Sequence, residues 1–138
     1  MKKSILYLFM LISCLALAQS PKSEKVKSVS IKQKVCPNQK GFQLVLKEVI
    51  SDSRCPDGLN CIWAGEATAI ISVYKDSKIV EESTMNFSMK NQEENKLWFC
   101  KYLPEKQRNL KSVSILPYPK EGSKVDPEDY YLKIEYLK

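Results

Sequence analysis

Apolar and polar side chains alternate in short runs along most of the chain. In residues 42–50, for example, Phe42, Leu44 and Leu46 lie at every second position, with the polar Gln43 and Lys47 among the residues between and after them. This period of two is typical of strands with one buried face, because successive side chains point to opposite faces of a sheet. Strands are therefore predicted at about residues 29–35, 42–50, 67–74, 79–89, 97–103, 110–116 and 130–137.

Helical patterning is weak by comparison. The best helix candidate, residues 105–111, would make one or two turns, and the polar residues 91–95 are predicted to form a loop. About seven short alternating strands joined by turns favour an all-β fold that resembles a β-sandwich. The pattern does not indicate the order in which the strands pair.

The N-terminus has the features of an export signal. Lys2 and Lys3 are followed by an apolar stretch, residues 5–17, and the small residues Ala16 and Ala18 suit a signal peptidase. The stretch is shorter than the roughly 20 residues that a transmembrane helix needs. We therefore expect a signal peptide (1–18), a flexible polar leader (19–27) and a single domain (28–138), secreted or periplasmic, with no transmembrane span in the mature chain.

A second interpretation of the same segment stays open. Leu11-Ile12-Ser13-Cys14 resembles a bacterial lipobox, in which Cys14 would carry a lipid and anchor the protein to the envelope. The apolar residues after Cys14 favour ordinary cleavage after Ala18 instead. Both interpretations place the mature chain outside the cytoplasm.

Cysteine usage agrees with export. Once Cys14 leaves with the signal peptide, Cys36, Cys55, Cys61 and Cys100 remain, and an even count in an exported chain predicts two disulfides. Three pairings fit that count. The simplest joins the close pair Cys55–Cys61 and leaves Cys36 to meet Cys100.

Positive charge is concentrated near the N-terminus. The chain carries a formal net charge of +6, but residues 21–40 contribute +5 while residues 41–138 sum to −1. Because nucleic-acid binding needs a basic face on the folded domain, this distribution argues against it.

Catalytic chemistry is restricted by the absence of histidine from the chain. Serine or cysteine nucleophiles activated by histidine, and the commonest zinc and copper sites, are thereby excluded. Two acidic groups remain: Asp52, Asp57 and Glu66, and Asp126, Glu128 and Asp129. We interpret both as turn-forming surface charge and expect no metal, no cofactor and no enzymatic activity.

One motif is distinctive: Asp52-Ser-Arg-Cys55-Pro-Asp-Gly-Leu-Asn-Cys61-Ile-Trp63-Ala-Gly65-Glu-Ala67. With it, residues 42–137 resemble a group of short exported bacterial proteins that carry D-S-R-C-P-x4-C-x-W-x-G-x-A, a later Pro-x-Pro and a Tyr-rich closing strand. The resemblance implies an exported β-rich domain and assigns no activity or functional residue.

Within the motif we separate structural from binding residues. Trp63 is expected to be buried against the disulfide, and Gly65 to permit a close backbone approach. Cys36, Cys55, Cys61 and Cys100 are taken as structural. The candidate binding residues lie on or beside the disulfide-held loop: Arg54, Asp57, Gly58, Leu59 and Asn60.

These features favour a non-enzymatic binding or interaction module, inhibitor-like in one version, whose partner is a protein or an envelope component. The alternative is a hydrolase that acts on glycans or peptides through carboxylates alone. Two carboxyl groups about 5–9.5 Å apart in a cleft would favour the hydrolase, whereas an exposed apolar patch would favour binding.

The cleavage site gives the first testable prediction. We expect the exported protein to begin at Gln19, because the small residues Ala16 and Ala18 precede it at the positions that signal peptidase reads. Mass spectrometry of the intact exported chain checks this. A diacylated N-terminal Cys14 would contradict the cleavage site and support the lipobox.

Overall fold

The computed structural model describes residues 24–33 and 40–138. The predicted signal peptide, residues 1–18, and Cys36 lie outside the described residues. The strands are β1 (Val26–Lys32), β2 (Phe42–Asp52), β3 (Ala67–Lys75), β4 (Lys78–Phe87), β5 (Leu110–Leu116) and β6 (Tyr131–Leu137). Helix α1 spans Gln92–Cys100, and 3-10 turns occur at Glu105–Gln107 and Pro127–Asp129.

The strands form two antiparallel sheets of three strands each. Their orders are β1-β6-β5 and β2-β3-β4. Alternating residues of the two sheets pack into one hydrophobic core. The fully buried residues of this core include Leu46, Ile71, Val73, Phe99, Ile115 and Leu132. The predicted all-β class is therefore confirmed, with six strands among the described residues.

The predicted strand over residues 97–103 is wrong, because this segment begins inside helix α1. Gln92, Glu93, Glu94 and Lys96 are good helix formers, and the two glutamates lie in the first turn, where the helix dipole favours negative charge. Asn95 and Phe99, four residues apart, are the buried residues of the helix. With so few buried positions, α1 leaves no sustained apolar period in the sequence.

Helix α1 closes the side of the molecule between the edge strands β4 and β5, since it contacts both. The buried Asn95 side chain donates a hydrogen bond to the carbonyl of Asn86 in β4, 2.9 Å away. This hydrogen bond satisfies a main-chain carbonyl of an edge strand, a group that would otherwise be open to pairing with another chain. With nine residues, α1 is far too short to span a membrane, and no other helix of the described residues is a candidate.

The predicted pair of disulfides is found in part. Cys55 and Cys61 are bonded, with their Cα atoms 5.9 Å apart. Cys100 carries a free thiol, whose Sγ lies 3.1 Å from the Arg108 carbonyl oxygen. Its predicted partner, Cys36, lies outside the described residues.

Substitutions at Phe99 and Leu97 distinguish the helix from the predicted strand. In a strand these side chains would share one face, whereas in α1 Phe99 is fully buried and Leu97 is 70% exposed. We therefore expect Phe99→Ala to lower the unfolding free energy by about 3–5 kcal/mol. The matched control Leu97→Ala should change it by less than about 0.5 kcal/mol. Urea titrations measure both, and equal losses would contradict the helix.

Candidate binding surface at the disulfide loop

The disulfide loop forms the end of a long hairpin made by β2 and β3. The last residue pair of the two strands is Asp52 and Ala67. Beyond it, the Ser53 amide donates a hydrogen bond to the Glu66 carbonyl over 2.9 Å. The Cys55 amide donates to the Ala64 carbonyl over the same distance. Antiparallel pairing thus continues to the disulfide, which closes the loop. The covalent bond and the backbone pairing hold the same short segment.

Gly65 permits this close pairing. Its φ is +72°, a left-handed conformation that side chains disfavour, and an added Cβ would lie 2.0 Å from the Ser53 carbonyl oxygen. Any other residue would therefore push the two arms of the hairpin apart. This geometry agrees with the structural role expected for Gly65.

Arg54 joins the end of the hairpin to the other sheet. Its guanidinium binds Asp52 through two contacts, Nε to Oδ1 at 2.8 Å and Nη2 to Oδ2 at 2.6 Å. The same group donates to the carbonyls of Ile115 and Pro117, at the end of edge strand β5. The Arg54 and Asp52 side chains are 5% and 7% exposed, so this is a buried ion pair with most of its hydrogen-bonding capacity used.

Two aromatic residues complete the surroundings of this ion pair. The Tyr130 hydroxyl donates to Asp52 Oδ2 over 3.0 Å, and the Tyr118 ring lies 4.3 Å from the Arg54 guanidinium carbon in a cation–π arrangement. Arg54 was predicted as a binding residue, but it is 93% buried and its guanidinium is occupied. Its place is beneath the loop, not on the exposed surface.

The ion pair also sets the protonation of its members. Burial raises the pKa of Asp52, but the hydrogen bonds and the charge of Arg54 outweigh burial and hold that pKa below its ordinary value of 3.8. Burial and the hydrogen bond to Asp52 raise the pKa of Tyr130 to about 12. Across the physiological range Asp52 is ionised and Tyr130 is neutral.

A second attachment holds the tip of the loop. The Asp57 amide donates to the carbonyl of Pro119 over 2.8 Å, and Asp57 forms an isolated parallel bridge with Lys120. Within the loop, the Leu59 amide donates to the carbonyl of Pro56. The predicted binding residues Asp57, Gly58, Leu59 and Asn60 are all exposed on this tip.

Trp63 is on the surface, so its predicted burial is wrong. It is 64% exposed, and the neighbouring Ile62 is fully exposed. The reason is steric: Gly65 lies directly against the Ser53–Arg54 backbone, and the Arg54 side chain, bonded to the segment that follows β5, is buried beneath the loop. The indole is therefore left outside the hairpin.

Other exposed apolar side chains lie beside Trp63. Trp63 and Met89, which is 84% exposed, border a cleft of about 260 Å³. Met89 and Tyr118 border a second cleft, of about 240 Å³, that reaches Cys55. We name this surface the loop-end patch and define it by Trp63, Met89 and Tyr118 at the clefts, together with Leu59 and Ile62, the exposed apolar residues that precede Trp63 in the loop segment.

Sequence reasoning found only Leu59 of this patch as a binding residue. Met89 and Tyr118 reach the disulfide loop through tertiary contacts that no local pattern encodes. Ile62 did carry a signal, since an isoleucine between a disulfide cysteine and a tryptophan belongs to no alternating run. Its exposure could have been suspected from that position.

No family model, curated protein or solved structure matches this chain. The resemblance carried by the cysteine–tryptophan motif therefore stays a prediction.

The protonation of Asp52 and Tyr130 predicts how stability depends on pH. The Asp52 contribution is present above its ordinary, unfolded-state pKa of 3.8 and is lost as the pH falls through the lower folded-state pKa. The Tyr130 contribution is present below about pH 10 and is lost as the pH rises towards its folded-state pKa of about 12.

Urea unfolding over a pH series, compared with the Asp52→Asn and Tyr130→Phe variants, measures these two contributions separately. Asp52→Asn should flatten the acid slope, and Tyr130→Phe the alkaline slope. An acid slope that Asp52→Asn leaves unchanged would show that Asp52 is not held ionised in the folded state.

Proposed function

We propose that this protein is an exported, non-enzymatic binding module that recognises a protein partner through the loop-end patch. The observation that carries the proposal is the exposure of Trp63, Met89 and Tyr118 together on one surface beside a doubly attached, disulfide-closed loop.

The composition of the patch suits a protein interface. Tryptophan, tyrosine and methionine are enriched in interface centres, and exposed aromatic residues commonly supply a large share of the binding energy. Met89 adds a flexible, polarizable side chain that adapts to an irregular partner surface. The charged residues Asp57, Glu66, Lys90 and Lys120 lie near the patch and suit a polar rim.

The frame beneath the patch lowers the entropic cost of binding. Cys55 is held by the disulfide, by its backbone pairing with Ala64 and by the adjoining Asp52–Arg54 ion pair, while Asp57 is tied to Pro119. A segment already fixed in one conformation loses little freedom when a partner docks. More of the contact energy made by the side chains of this segment then remains as binding free energy.

The disulfide supports an exported location, since such bonds persist mainly in oxidising compartments. The same proposal includes secretion or a periplasmic location, cleavage of the signal peptide and the resemblance to exported bacterial proteins. An inhibitor that presents the Cys55–Cys61 loop to a secreted enzyme is one concrete version. An accessory component of the envelope is the other.

Carboxylate hydrolysis is the less supported alternative. Its general acid needs a carboxyl group with a raised pKa in an apolar pocket. Asp52, the buried carboxyl that pairs with Arg54 at the edge of one cleft, has a lowered pKa and is held by Arg54 and Tyr130. This geometry suits a structural ion pair better than a proton donor.

Truncation of Trp63 tests the proposal. Because the indole is largely outside the core, Trp63→Ala should leave the melting temperature nearly unchanged. The same substitution should weaken binding to the partner captured from the native cell envelope by about 30-fold, which corresponds to roughly 2 kcal/mol at an interface hot spot. Calorimetric melts and titration of the captured partner measure the two effects.

The matched control is Leu97→Ala, which removes a comparably exposed apolar side chain from α1, outside the patch. It should change neither melting nor binding. Equal affinity of the wild type and Trp63→Ala would remove the loop-end patch as the recognition surface. A large loss of stability in Trp63→Ala would restore the interpretation of Trp63 as part of the core.

A further inference from the structure

A second surface, made of lysines, lies at the end of sheet β1-β6-β5 where β1 begins and β6 ends. Lys27, Lys106 and Lys138 border an open cleft of about 520 Å³ together with Gln107 and Tyr136. Among the described residues, none that lines this cleft is acidic. We name Lys27, Lys106 and Lys138 the lysine cluster.

Backbone pairing brings these residues together. Lys27 lies opposite Tyr136 in the β1–β6 ladder, and the Lys138 amide donates to the carbonyl of Lys25 over 3.3 Å. The 3-10 turn Glu105–Gln107 presents Lys106 just before β5 begins. Three separate parts of the chain thus contribute an ammonium group to one cleft.

The lysines of the cluster take no part in the ion pairs of the described part of the chain. The ion pairs found there use Lys47, Arg54, Lys96 and Lys133 as their cations. Glu135, an acidic residue of β6 near this end, is held by Lys133 at 2.7 Å. Exposed charges of both signs flank the cluster in the chain, with the cations in excess: Lys25, Arg108 and Lys111 against Glu24 and Glu105.

This arrangement fits an extended anionic surface better than it fits a compact anionic ligand. The cluster lysines are exposed and flexible, and the cleft is open, so they suit many anionic headgroups spread over a plane. Tyr136 among the lysines and Val26 beside them, 44% exposed, are residues that fit the boundary between headgroups and acyl chains.

We propose that the lysine cluster binds the anionic headgroups of a phospholipid membrane surface. The chain enters the fold at this end, and the residues just before Glu24 include Lys22. If Cys14 is lipidated, the ten residue steps from Cys14 to Glu24 reach at most about 35 Å. The two acyl chains of a diacylated Cys14 would hold the protein at the membrane, and the lysine cluster would then keep the domain against the headgroups.

This surface is distinct from the loop-end patch. Tyr131 starts β6 beside Leu116, close to the Pro117–Tyr118 segment, while Leu137 ends β6 near the cluster. The seven residues of β6 span about 20 Å. Membrane binding and partner recognition can therefore occur at the same time, and either proposal can fail without the other.

Vesicle binding tests the proposal, with the protein as recovered after export. Sedimentation is compared between vesicles of phosphatidylcholine alone and vesicles of equal parts phosphatidylcholine and phosphatidylglycerol. We expect preference for the anionic vesicles, weakened by salt. The triple variant Lys27→Gln/Lys106→Gln/Lys138→Gln should reduce that preference on the order of a hundredfold, since each lysine near an anionic surface contributes about a factor of five.

A matched triple variant controls for total charge. Lys78→Gln/Lys90→Gln/Lys120→Gln removes the same charge from exposed positions outside the cluster and should retain most of the preference. Equal losses in the two variants would show that net charge, not the cluster, binds the membrane. Equal binding to both vesicle types, or binding of soluble polyphosphate without binding of anionic vesicles, would overturn the proposal.

Discussion

The buried ion pair between Asp52 and Arg54 connects the two sheets at the end that carries the disulfide loop. Asp52 closes β2, and Arg54 reaches the carbonyls of Ile115 and Pro117 at the end of β5. Removing one partner from such a pair strands the other charge, which typically costs about 3–5 kcal/mol. The arginine also occupies main-chain acceptors on an edge strand, so the same contact positions the loop and protects the sheet edge.

The exposed surface follows from that contact. Because Arg54 fills the space under the hairpin and Gly65 lies against the Ser53 backbone, Trp63 has no place in the core and projects outward. The disulfide then restricts the tip, and the Asp57–Pro119 hydrogen bond fixes its direction. A rigid polar frame that displays apolar side chains is the arrangement expected of a recognition surface. The lysines lie at the opposite end of β6, where the fold offers a second surface of different chemistry.

The sequence pattern predicted the features that depend on residues close together in the chain. Alternation located the strands that became β2, β3, β5 and β6, and the short spacing of Cys55 and Cys61 predicted their bond. Helix α1 was missed because its buried face reduces to Asn95 and Phe99, which leaves too short a period to recognise. The burial of Arg54 and the exposure of Trp63 were missed for a different reason. Both depend on β5 and its following segment, more than 50 residues away in the chain, and no local spacing encodes that contact.

Amide hydrogen exchange of the loop tests most directly whether the ion pair organises this end of the molecule. In the wild type, the amides of Cys55 and Asp57, bonded to Ala64 and Pro119, should exchange slowly. In Arg54→Met, with the disulfide intact, their exchange should accelerate much more than that of Ile71 in the centre of β3. Protection of Cys55 and Asp57 that falls only in step with Ile71, or not at all, would contradict the account and assign the order of the loop to the disulfide alone.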